Sequence, residues 1–114
     1  MKSNLKHLTK TEEQAIEKFV ELMRAGLRHS LVKLEIFGSK IKGDYTEDSD
    51  IDILIIVRER TLGIMDRVAE ITTQLNIEYA ISISPTVFSE YEHRVNIDMK
   101  SPFSLCVETE GVRL

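Results

Sequence analysis

Only one cysteine, Cys106, stands in the 114-residue chain, so no internal disulfide can form. The three histidines, His7, His29 and His93, fall at no zinc-ligand spacing. Tryptophan is absent, and two prolines and five glycines are too few for a fibrous or low-complexity chain. The longest uninterrupted apolar run, Ile53 to Val57, is far short of the ~20 residues that cross a bilayer. Residues 1–4 lead into no apolar signal segment, so a soluble, cytoplasmic protein with no membrane partner is expected. A basic stripe is also missing. Fifteen Lys and Arg face nineteen Asp and Glu, a net charge of −4, and residues 61–114 carry four basic against eight acidic side chains. Gripping a nucleic-acid polymer by counterion release is therefore not expected. A small anion held with the help of a metal stays open.

What is present reads as one domain over residues 1–114, without repeat or linker: 42% hydrophobic and 30% charged. Thr11 to Gln14 has the form of a capping box. Beyond it Ile16, Phe19, Val20, Met23 and Leu27 make one apolar helical stripe. Leu31 to Phe37 reads as a strand closed by Gly38. Ile51 to Val57 is almost continuously apolar, as a central strand buried on both faces should be. Leu62 to Leu75 has a second helical stripe, its first turn weakened by Gly63. Ile77 to Ser84 alternates and predicts a strand with Glu78, Ser82 and Ser84 on its polar face, ended or bent by Pro85. Ser89 to Glu92 is a further capping box, and a last helix is expected between Ser101-Pro102 and Gly111. The order predicts an α+β fold, a small mixed sheet with helices packed on it.

Chemistry concentrates between Gly38 and Asp52. Asp50 and Asp52 are two apart at the head of a strand, so both side chains leave one face. Two such carboxylates repel unless a cation sits with them, and hard oxygen ligands suit Mg²⁺ together with substrate phosphates. Gly38-Ser39 follows directly on a strand, where glycine permits close backbone approach and free N–H groups can meet a phosphate. Lys42, like Lys40, lies in the same turn and could offset phosphate charge. A calcium loop is the rival reading, with Asp48, Asp50, Asp52 and Glu59 at positions 1, 3, 5 and 12. Its sixth position, which needs glycine for the sharp turn, is Ile53.

The stretch from Gly38-Ser39 to Asp50-Ile51-Asp52 resembles the signature of the DNA polymerase beta-like nucleotidyltransferase superfamily, and the small size resembles its minimal nucleotidyltransferase (MNT) group. The resemblance implies a palm-type fold and transfer of a nucleoside monophosphate, AMP from ATP, to a hydroxyl acceptor. It further implies two Mg²⁺ ions on Asp50 and Asp52, with Gly38, Ser39 and Lys42 holding the triphosphate. That group includes antitoxins that adenylylate a HEPN-type toxin, so a HEPN-type partner or a second copy of the chain is an expected partner. The family usually adds a third carboxylate from a later strand. Here that strand offers Ser82 and Ser84, with Glu78 near its start, and a serine neither takes a proton at neutral pH nor brings charge to a metal. A second reading follows: a catalytically impaired nucleotide-binding or partner-masking module. Adenylylation of a small molecule is disfavoured, because no acceptor-binding domain is present.

Overall fold

The computed structural model describes residues 8–37, 50–102 and 111–114. Helix α1, Lys10–Leu27, starts two residues before the expected place. Its cap is Thr9, whose Oγ1 accepts the Glu12 N–H at 3.1 Å while the Glu12 carboxylate accepts the Thr9 N–H at 2.9 Å. Leu8, buried in the core just ahead of the cap, explains the earlier start: the chain must enter the core before the helix begins. The stripe of Ile16, Phe19, Met23 and Leu27 is buried as its spacing requires, each side chain contributing about 1.5–3 kcal/mol of burial.

A short 3-10 turn, Arg28–Ser30, leads into β1, Leu31–Phe37. Strand β2, Ile51–Val57, pairs antiparallel with β1. Every residue of β2 is buried except Asp52. Ile51, Ile53, Ile55 and Val57 join the main core with α1, while Leu54 and Ile56 pack with Phe37 on the opposite face. Both sheet faces are thus covered at β2, as a nearly continuous apolar strand demands.

Helix α2 runs Leu62–Tyr79, three residues into the segment expected as a strand. Val68, Ile71, Thr72 and Leu75 are buried along it, and Tyr79 continues that helical spacing. Ile77, which suggested alternation with Tyr79, is 77% exposed and lies off the stripe. The helix ends at Ala80, in the left-handed region with φ 53°, whose N–H donates to the Asn76 carbonyl. Strand β3 is consequently Ile83–Ser89, parallel to β2. Pro85 lies inside it rather than ending it. The strand order β3-β2-β1-β4 places β3 at the sheet's margin among the described residues, where a missing N–H is tolerated.

The capping box at Ser89 and Glu92 is present and starts α3, Glu90–Asp98. Most of the helix expected after Ser101-Pro102 lies outside the described residues. Following it, Val112–Arg113 forms β4, pairing antiparallel with β1 at Ile36 and Glu35. The described fold is therefore α+β, a four-stranded mixed sheet with three helices.

Candidate active site

The heads of β2 and β3 lie side by side because the two strands are parallel, and the antiparallel β1 ends at the same margin. Asp52 is flanked in register by Phe37, the last residue of β1, and by Ser84 of β3. Asp50 immediately precedes β2 and is exposed, whereas Asp52 is half-buried. Ile51 and Ile53 drive the main-core face of the strand inward, so the alternation sends Asp52 to the other face, with Leu54 and Ile56 beyond it.

This placement is electrostatically costly. Burial raises the Asp52 carboxyl above its ordinary value, and the negative charge of Asp50 raises it further. Among the described residues no group of three or more His, Cys, Asp or Glu side chains gathers as a metal site. The donor set among the described residues is the two carboxylates of Asp50 and Asp52. It fits Mg²⁺, which takes one or two carboxylates and completes its shell with waters and substrate phosphates, better than Ca²⁺, which takes six to eight oxygens.

Ser82 sits where a third carboxylate was sought, and its Oγ donates to Asp50 Oδ1 at 2.7 Å. The Ser82 carbonyl also accepts the Ile51 N–H at 2.8 Å. One residue on, Ile83 is gripped twice by the Asn76 side chain. Its N–H donates to Asn76 Oδ1 at 2.8 Å, and its carbonyl accepts from Asn76 Nδ2 at 3.2 Å. Glu78, the other acidic candidate, belongs to α2 and is exposed there. The helix continues through it, so it does not share a strand face with Ser82 and Ser84. Asn76 was not singled out from the sequence, since an asparagine near a helix end carries no mark of the strand it will clamp.

Gly38, Ser39 and Lys42 lie outside the described residues. The structure does fix the residue before them: Phe37 pairs with Asp52, so β1 finishes at the margin that bears the aspartates.

Residues 13–100 match the family described as "Nucleotidyltransferase domain". Two proteins of Methanocaldococcus jannaschii are similar to the chain. "Putative protein adenylyltransferase MJ0604" is 40% identical over 79 residues, 69% of this chain and 75% of that protein. "Putative protein adenylyltransferase MJ0141" is 31% identical over 102 residues, 89% and 96% of the two chains.

Proposed function

The chain belongs to the nucleotidyltransferase domain family, and from that premise we propose that it moves AMP from ATP to a hydroxyl of a partner protein in the cytoplasm, with Mg²⁺ as cofactor. The observation that carries the proposal is the carboxylate pair. Asp50 and Asp52 share one face at a strand head, and Asp52 is kept half-buried against the repulsion of its neighbour. Such a cost at the one polar position of an otherwise buried strand is what a binding role would maintain.

In this reading Asp50 and Asp52 hold the ions, and Gly38, Ser39 and Lys42 hold the triphosphate tail. Bound Mg²⁺ would supply charge neutralisation at the phosphates. The acceptor oxygen bonds to the α-phosphorus, the bond to pyrophosphate breaks, and the acceptor proton leaves to a base. Neither Ser82 nor Ser84 can be that base. Water or a side chain of the acceptor protein takes the proton, and forgoing a positioned base costs ~10²–10⁴-fold in rate. The protein acceptor is supported by the printed names of the two relatives. A HEPN-type toxin, with this chain as its antitoxin, is the acceptor class we favour, and a second copy of the chain is the other partner in this reading.

The test is incubation with α-labelled ATP, Mg²⁺ and the co-expressed partner. Label is expected on the partner, and Asp50→Asn should remove it. Absence of transfer from each of the four nucleotides to every co-purifying protein would refute the proposal. Serines in the third-carboxylate position favour one alternative, a nucleotide-binding module that neutralises its partner by masking a surface. In that case Asp50→Asn leaves neutralisation intact.

A further inference from the structure

We propose that Ser82 is a positioning residue for Asp50: its hydroxyl fixes the carboxylate in the orientation that receives a divalent cation. The inference rests on the metal reading above and concerns a residue that reading leaves without a role. A carboxylate two bonds from the backbone turns about χ2 with little resistance. An exposed one samples many orientations, and ordering it weakens cation binding. Here the Ser82 hydroxyl donates to Asp50 Oδ1 at 2.7 Å, a charge-assisted bond of the stronger kind. That bond engages one oxygen and leaves Oδ2 for the cation.

The donor is itself held on both sides. The carbonyl of Ser82 accepts the Ile51 N–H, which ties it to the residue between the two aspartates. The next residue, Ile83, is fixed through both of its backbone groups by Asn76 of α2. Ser82 therefore cannot drift along the strand margin without breaking bonds on α2 or β2. A hydroxyl on a strained or mobile turn would not serve, whereas one locked to two elements is a support of the kind that metal-ligating carboxylates ordinarily have. In this position a serine gives the first aspartate its geometry, where a third carboxylate would have given charge.

The experiment is titration of Mn²⁺, followed by the electron paramagnetic resonance of the free ion, in the presence of a non-hydrolysable ATP analogue. Wild type, Ser82→Ala, Ser82→Thr, Asp50→Ala and the Asp50→Ala/Ser82→Ala pair are compared. Loss of an outer hydrogen bond to a ligand typically weakens metal binding about 10–100-fold. That loss is expected for Ser82→Ala, with recovery in Ser82→Thr, which keeps the hydroxyl. Because Ser82 acts through Asp50, removing its hydroxyl in the Asp50→Ala background, which has no oxygen to accept the bond, should have no further effect. The thermal midpoint of Ser82→Ala, which loses only an exposed hydroxyl, should stay near that of wild type.

The proposal is overturned by a Ser82→Ala affinity within about two-fold of wild type, well inside the change expected of an outer-shell deletion. An undiminished effect in the Asp50→Ala background also overturns it. If wild type itself takes up no Mn²⁺, the metal reading fails and this inference with it. Mn²⁺ uptake that ignores Ser82 removes the inference alone.

Discussion

Replacing Asn76 with alanine should unlatch β3 from α2. The two hydrogen bonds to Ile83, at 2.8 and 3.2 Å, serve backbone groups at the sheet margin. In the parallel ladder Ile51 donates to Ser82 rather than to Ile83, so the amide of Ile83 turns away from β2. The Asn76 side chain thus takes the place that a neighbouring strand would fill, none lying there among the described residues. Ile83 is 4% exposed, so water replaces the lost partners poorly. Stranding a buried donor or acceptor costs about 1–3 kcal/mol, and two half-shielded groups together should cost about 2–3 kcal/mol. Alanine's better helix propensity offsets about 0.5 kcal/mol, leaving a loss of about 2 kcal/mol. For a domain of this size that lowers the thermal midpoint by about 8 °C.

Urea unfolding should show the shift in midpoint with an unchanged m-value, and hydrogen exchange should show lost protection at the Ile83 amide. Asn76→Asp keeps the acceptor and loses the donor, so its effect should be intermediate. A cost below about 0.5 kcal/mol for Asn76→Ala, less than the worth of a single net hydrogen bond, with the Ile83 amide still protected, would refute the latch.

Three further outcomes are expected. Asp52→Asn should abolish transfer and stabilise the fold. Burial and then Asp50 raise the Asp52 carboxyl above its usual 3.8, so the native state holds its proton more tightly than the unfolded chain. Stability therefore falls as pH rises through that window. The gain in thermal midpoint should be present at neutral pH and vanish at about pH 3, where both states are protonated. Glu92 has its carboxyl lowered from 4.5 to about 2, first by the hydrogen bonds from Arg60 and then by the Ser89 N–H. Its stabilising share is present above the unfolded value and is lost as pH falls from 4.5 toward 2. Carboxyl NMR titration should find the low value in wild type and a return toward the usual range in Arg60→Met. Gly63→Ala should stabilise α2, since an added Cβ would meet only Thr61 Oγ1, at 3.9 Å. About 1 kcal/mol is expected from helix propensity, read as a rise in the urea midpoint.

The sequence was most legible where one periodicity ran unopposed. Strands β1 and β2 begin and end where their apolar runs do. Strand β2 was recognisable as central because consecutive apolar residues need cover on both faces. Legibility failed where two periods overlapped. Ile77 and Tyr79 alternate like a strand, yet Val68, Ile71, Leu75 and Tyr79 prolong a helical stripe. The exposed Ile77 is an apolar residue on the wrong side, and local pattern alone gives it the same weight as a buried one. At α1, Thr9 and Thr11 each stand three residues before a Glu or Gln. Choosing between them required knowing that Leu8 is buried, which is a tertiary fact. Strand β4 is two residues long and pairs with a strand some eighty positions earlier, so no local signal announces it.

The candidate site was legible for a different reason. Within Ile51–Val57 every position obeys the pattern of a buried strand except one, and that one is an aspartate with a second aspartate two residues before it. Folding alone would favour an apolar residue at position 52: burial lifts the carboxyl and the neighbouring charge lifts it again. A local rule broken at a cost, beside the ends of two other strands, marks function more reliably than a motif alone. The residues that support the aspartates leave no such trace. Ser82 and Asn76 are ordinary at their own positions and acquire meaning only when β3 is laid parallel to β2. Reading them required the fold, because their partners lie 32 and 7 residues away along the chain.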